Sequence, residues 1–179
     1  MPSWVVLFRG VNVGGKHKLP MARLVTILES LGCSAVRTYI QSGNAVFTSR
    51  QTNRARLATQ IVDTVEREFG FRPHLMLLTA SELADAVLNN PFKKSVKEPK
   101  SLHFFFLDSK PQKPDVEGMK AVATRSERFR LIGQVFYLHT PDGFGLSKLA
   151  TVIERRLGVP ATARNYNTVA ALMAMLEES

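Results

Sequence analysis

The chain has 179 residues, 45% of them hydrophobic, a single cysteine, and a net charge of +9 from 24 Lys and Arg against 15 Asp and Glu. That hydrophobic share is ordinary for a globular protein and excludes extensive disorder, while the longest apolar runs, Trp4–Phe8 and Phe104–Leu107, are too short to span a bilayer. Cys33 alone excludes an internal disulfide and a cysteine-based zinc site within one chain, and the positive charge favours anionic partners such as nucleic acid, nucleotides or phosphorylated metabolites.

The first apolar run predicts a strand at 4–8 with no basic region ahead of it, so no secretory signal and no membrane contact are expected, and the protein is placed in the cytoplasm. The strand opens into RGVNVGGKHK, Arg9 to Lys18, which combines three glycines with lysine and histidine cations. A loop of this kind offers bare backbone N–H groups and positive charge to an anion. Gly10 to Lys16 even satisfies the glycine and lysine spacing of a phosphate-cradling P-loop. His17 then stands where a Ser or Thr would bind magnesium, and Pro20 postpones the helix, so a Walker-type triphosphatase is rejected.

Periodicity next predicts a helix over about 21–31, ended by Gly32, and strands 35–41 and 45–48 joined by a tight turn at Ser42-Gly43-Asn44. A helix over 54–69 stops at Gly70, strand 73–78 follows, and a capping box of Thr79 and Glu82 opens a short helix to Leu88. After a basic connection at 91–100 the order repeats: strand 102–107, a helix near 115–124, and strands 127–132 and 134–139 joined at Gly133. A helix over 147–157 stops at Gly158, and a short strand near 161–164 leads into the last helix. Gly43 and Gly133 lie 90 positions apart, and Gly70 and Gly158 lie 88 apart. The order βαββαβα thus occurs twice, which is an α+β, duplicated ferredoxin-like (split βαβ) pattern, with units at 1–90 and 101–179 packed as one body. Strands 4–8 and 102–107 are apolar on both alternations, so each is expected at the centre of its sheet.

Three polar clusters use residue types that fill cores poorly. The first is Arg9, Asn12, Gly14, Gly15 and Lys16. In the second, RTYIQSGN, alternation puts Arg37, Tyr39 and Gln41 on one face and Val36 and Ile40 on the other, with Ser42 and Asn44 in the turn. The third is TARNYNT, with Arg164, Asn165 and Asn167, where Asn167 or Thr168 is expected to cap the last helix. Arg and Asn together suit a carboxylate, a phosphate or a base edge, and suit equally a turn satisfied by its own side chains. Asp142-Gly143-Phe144-Gly145-Leu146-Ser147-Lys148 adds two glycines before a helix that Ser147 can cap.

Signatures of catalysis are poor. The four histidines, His17, His74, His103 and His139, show no metal-ligand spacing, and Ser42-Gly43 lacks the nucleophile elbow. No acid–base pair, metal or cofactor is nominated. The aromatic pattern of RNA-binding ferredoxin-like domains is also missing, since the segment around Phe47 offers one aromatic and the segment around Phe136 lacks the preceding basic residue.

The motifs LFRGVNVGGKHKLPM, VRTYIQSGNAVF, NNPF, DGFGLSKL and TARNYNTV stand in the order found in the bacterial family called domain of unknown function 1697, which the chain resembles over essentially its whole length. The resemblance implies a duplicated ferredoxin-like architecture and no established activity. It implies that Arg9, Asn12, Gly14, Gly15, Lys16, Gln41, Ser42, Asn44, Arg164, Asn165 and Asn167 occupy signature positions, with Tyr166 where Trp is expected. The functional expectation is binding of a phosphorylated small molecule or nucleotide through the glycine loop. The alternatives are a nucleic-acid-binding accessory protein and an enzyme acting on a phosphorylated substrate. Because the first and third clusters both follow strands, lead into helices and pair Arg with Asn, they are expected to share one cleft.

Overall fold

The computed structural model describes residues 1–178 and holds, among them, a mixed α+β fold with two four-stranded antiparallel sheets and six α-helices. The chain divides into two units: Met1–Asp85 with the stretch from Ala170 onward, and Ala86–Val169.

In the first unit β1 (Ser3–Arg9) pairs with β3 (Asn44–Thr48) on one side and β4 (His74–Thr79) on the other, and β2 (Ser34–Tyr39) closes the order β2-β3-β1-β4. The central place of β1 explains its unbroken apolar run, for Trp4 to Phe8 are buried on both faces. Helices α1 (Met21–Ser30) and α2 (Arg54–Phe69) lay Leu24, Leu28, Leu57, Ile61 and Val65 onto Trp4, Val6, Phe8 and Phe47. Truncating any of these leucines to alanine should cost about 2–5 kcal/mol. Asn53 caps α2 by accepting from the Arg56 N–H at 3.0 Å, and Gly70 ends it by donating to the Glu66 carbonyl. The capping box of α3 (Ala80–Leu88) forms as expected, with Thr79 N–H donating to Glu82 Oε2 at 2.8 Å and Glu82 N–H to Thr79 Oγ1 at 3.2 Å.

The second unit repeats the plan. Central β5 (Leu102–Leu107) lies between β7 (Val135–His139) and β8 (Ala161–Asn165), with β6 (Arg128–Ile132) at the edge, giving the order β6-β7-β5-β8. Every residue of β5 is buried. Helices α4 (Val116–Val122) and α5 (Lys148–Leu157) place Met119, Leu149, Ile153 and Leu157 against Phe105, Phe136 and Leu138. Asp115 caps α4 by accepting from Gly118 N–H, and Arg156 of α5 pairs with the same carboxylate, which holds it below the usual aspartate range. Ser147 caps α5 through the Ala150 N–H. The buried Tyr137 hydroxyl donates to the Ala86 carbonyl at 2.7 Å, and burial pushes its pKa up to about 12.

The last helix, α6 (Tyr166–Glu177), begins earlier than its expected caps. Asn165 Oδ1 accepts from the Thr168 N–H at 3.1 Å, so Asn165 is the cap in place of Asn167 or Thr168. The sequence holds three residues able to cap within four positions, and strand β8 runs one residue further than its apolar pattern suggests. No helix among the described residues is long and apolar enough to cross a membrane.

Candidate functional site

The glycine loop after β1 folds into a miniature hairpin. Asn12 N–H donates to the His17 carbonyl at 3.1 Å and Lys16 N–H to the Val13 carbonyl at 3.1 Å. Gly14 and Gly15 form the tip with φ of 58° and 73°, the two left-handed positions of a type I′ turn, which explains glycine at both. A Cβ at either would meet no atom within 4 Å, so packing does not demand glycine there. Among the described residues no backbone carbonyl accepts from the Gly14 or Gly15 N–H. Lys16 and Lys18 are exposed and form no ion pair with a described residue. His17 stacks on Phe71 with ring centroids 4.8 Å apart, and exposed Arg9 ends β1 opposite His74.

The first and second clusters meet here. Asn12 Nδ2 donates to the Leu19 carbonyl at 2.8 Å and to the Gln41 carbonyl at 2.7 Å, while its Oδ1 accepts from the Leu19 N–H at 2.8 Å. One side chain thus closes its own loop and ties it to the β2–β3 turn. Phe8 N–H donates to the Gly43 carbonyl at 2.8 Å, making a second tie. Asn44, fully buried, donates from Nδ2 to Ser42 Oγ at 2.8 Å and to the Tyr39 carbonyl at 3.1 Å. Asn12, Ser42 and Asn44 therefore shape the site, and the Gln41 backbone serves as an anchor.

The expected alternation through Gln41 ends early. Strand β2 stops at Tyr39, and Ile40 turns into the left-handed region at φ 49°, leaving its side chain 53% exposed and Gln41 outside the strand. A β-branched residue rarely adopts that conformation. Of the four non-glycine residues with positive φ among the described residues, Asn12, His17 and Ile40 all belong to this loop pair. Val13, 65% exposed, adds a second apolar side chain to the rim of cations.

Arg37 points to other work. Its Nη1 pairs with Glu178 at 3.0 Å and its Nη2 donates to the Met175 carbonyl, so it holds the end of α6 within the first unit. In the second unit Arg164 donates to the Ala163 carbonyl at 2.9 Å, and burial pulls its guanidinium down to about 10. Asn165 caps α6, and exposed Asn167 lines a cleft of about 350 Å³ with Lys100, Thr140 and Gly143, so part of the third cluster meets the Asp142–Lys148 segment. Tyr166 packs its ring on Phe104 at 5.9 Å. Cys33 is buried, its thiol pushed up by that burial, which fits a packing role. No group of three or more metal-ligating side chains occurs among the described residues.

A family model described as "Protein of unknown function (DUF1697)" matches residues 1–137. Among solved structures the chain is similar to the conserved bacterial protein SP0830 from Streptococcus pneumoniae, at 26% identity over 98% of both chains with a TM-score of 0.72. A comparison with curated proteins finds no match. The chain belongs to the family of proteins of unknown function DUF1697.

Proposed function

We propose that this family member binds a phosphorylated small molecule or nucleotide at the paired loops 9–18 and 40–44 of its first unit. The observation that carries this reading is the concentration of left-handed backbone there: Asn12, His17 and Ile40 together with Gly10, Gly14, Gly15 and Gly43. Strained backbone costs about 1–3 kcal/mol per residue and persists where it serves a site. Here it holds the glycine N–H groups, Arg9, Lys16 and Lys18 toward solvent while Asn12 fixes the loop from behind. The phosphoryl group would take the N–H donors and the lysines, and the exposed Val13 and Ile40 would cover an apolar or aromatic portion.

Residues 1–90 and 101–179 are read as two copies of one ferredoxin-like unit. The matching strand orders, each antiparallel throughout with the first strand central, support that reading. A cytoplasmic site suits the unpaired, buried Cys33.

A thermal-shift screen of nucleotides, sugar phosphates and pyrophosphate tests the binding. A ligand at about 100 times its dissociation constant adds roughly 2.7 kcal/mol to the folded state, and Lys16→Ala should shrink that shift. A screen without a hit, or a hit unaffected by Lys16→Ala and Lys18→Ala together, overturns the assignment. A log–log salt slope near the number of neutralised phosphates on an oligonucleotide would transfer it to nucleic acid.

A further inference from the structure

We propose that the free edge of β6 accepts an extended segment of another protein in which acidic and apolar residues alternate, adding a fifth strand to the second sheet. Strand β6 pairs with β7 alone, in unbroken register from Arg128↔His139 to Ile132↔Val135. The two strands are joined across Gly133-Gln134, so Ile132 and Val135 flank a two-residue turn and form a hydrogen-bonded pair. Alternation then gives Arg130 and Arg128 to β7 and directs the N–H and C=O of Phe129 and Leu131 to the open edge. An exposed ladder of this kind is a template for strand addition.

The side chains specify the guest. Phe129 and Leu131 turn to the helical face, where they pack on the core and, with Val116, Met119 and Ala123 of α4 and the segment after it, line a groove of about 610 Å³. Arg128 and Arg130 turn to the opposite face and are exposed. No carboxylate of a described residue pairs with Arg125, Arg128 or Arg130; Arg128 donates only to the Arg125 and Glu127 carbonyls. Glu127, the acid nearest in sequence, is buried and accepts from the Thr124 N–H at 2.8 Å. A strand laid beside β6 would set its apolar residues over the groove and its other residues next to two arginines. Directly opposed like charges destabilise a sheet and opposite charges stabilise it. A second copy of β6 would oppose arginine with arginine, so the fitting occupant is an acidic partner and not this chain.

The probe is a labelled, terminally blocked peptide of seven residues alternating Glu and Val, followed by fluorescence anisotropy and by amide chemical shifts of the full-length protein. The expected result is binding that moves the Phe129 and Leu131 amides and weakens with salt. The same peptide N-methylated at alternate amides should not bind, nor should a block-ordered peptide of the same composition. Arg128→Glu with Arg130→Glu, both at exposed positions, should weaken the Glu-Val peptide by about tenfold or more and admit its Lys-Val counterpart. Equal binding of alternating and block peptides, shifts confined to other residues, or no binding overturns the proposal. Concentration-dependent dimerisation that moves the Phe129 and Leu131 amides would give the edge to a second copy, and displacement of the peptide by an oligothymidylate at the same amides would give it to nucleic acid; either result also overturns it.

Discussion

Strands β2 and β6 hold the same place in their sheets, each at an edge beside the third strand of its unit, yet their arginines do opposite things. In β2 the register slips between Ser34 and Arg37, Ala35 takes φ 51°, and Arg37 is committed to Glu178 and the Met175 carbonyl. In β6 the register is regular and Arg128 and Arg130 have no carboxylate among the described residues. Bulges and occupied side chains close an edge, and regular pairing leaves it open. The loops after the central strands differ in the same way. The first carries the glycine hairpin, and the second, 108–115, is a proline-containing connection ending in the Asp115 cap. Two sheets of matching strand order therefore supply an internal control for each feature, because a property of that order should occur in both units and a property of a site in one.

The largest expected effect breaks the tie between the two loops of the proposed site. At Gly43 a Cβ would stand 2.6 Å from Phe8 Cβ and 2.7 Å from Val11 Cγ2, on backbone already at φ 74°. Gly43→Ala should cost roughly 3–5 kcal/mol, from left-handed strain plus overpacking. Gly14→Ala and Gly15→Ala meet open space and should cost about 1 kcal/mol each, from conformation alone. Urea denaturation compares the three, and equal costs would show that the β2–β3 turn does not brace the hairpin.

Acid should separate the two cores. His103 is buried in the second unit, stacked on Phe144 at 3.7 Å, and burial lowers its pKa from 6.5 to about 4. The unfolded chain binds the proton more readily, so the neutral imidazole's contribution is fully present above about pH 6.5 and is lost as pH falls toward 4. By pH 4 the loss is roughly 2–3 kcal/mol. The core of the first unit holds no histidine. Hydrogen exchange should therefore show β5 and β7 amides losing protection before β1 and β3 as pH drops through that window. His103→Phe should flatten the difference, and parallel loss in both units of the unaltered protein would refute it.

Most elements and some of their ends were legible in the sequence because they depend on neighbours within a few positions. The Thr79–Glu82 box, the Gly70 end of α2 and the apolar run of β1 need no distant partner to form their patterns. The site was less legible, since Asn is equally apt for a ligand and for a stray carbonyl. What makes Asn12 a brace is the Gln41 carbonyl, 29 positions away, and the sequence does not announce that meeting. Alternation sets Ile40 on one face with Val36 because it assumes a continuing strand, and the left-handed turn ends it. The available signal for Arg128 and Arg130 was their alternation with Phe129 and Leu131 in a strand beside a tight hairpin.

The smallest effects test the edge-strand contrast itself. Arg37→Ala removes an ion pair whose side chains are 34% and 69% exposed, which by itself is worth little, together with a charge-assisted bond to the Met175 carbonyl. The sum should be about 1 kcal/mol, because solvent screens the pair but the carbonyl loses its donor near the end of a helix. The change should be local: amides in the last turn of α6 should exchange faster while those of α1 and α2 keep their rates. Arg130→Ala removes a side chain with no carboxylate partner among the described residues and should stay within about 0.5 kcal/mol of the parent in either direction. A loss of 1 kcal/mol or more at Arg130 would mean that β6 is closed in the folded protein as β2 is. Its arginines would then be braces, and the strand-addition surface would have no charge left to choose a partner.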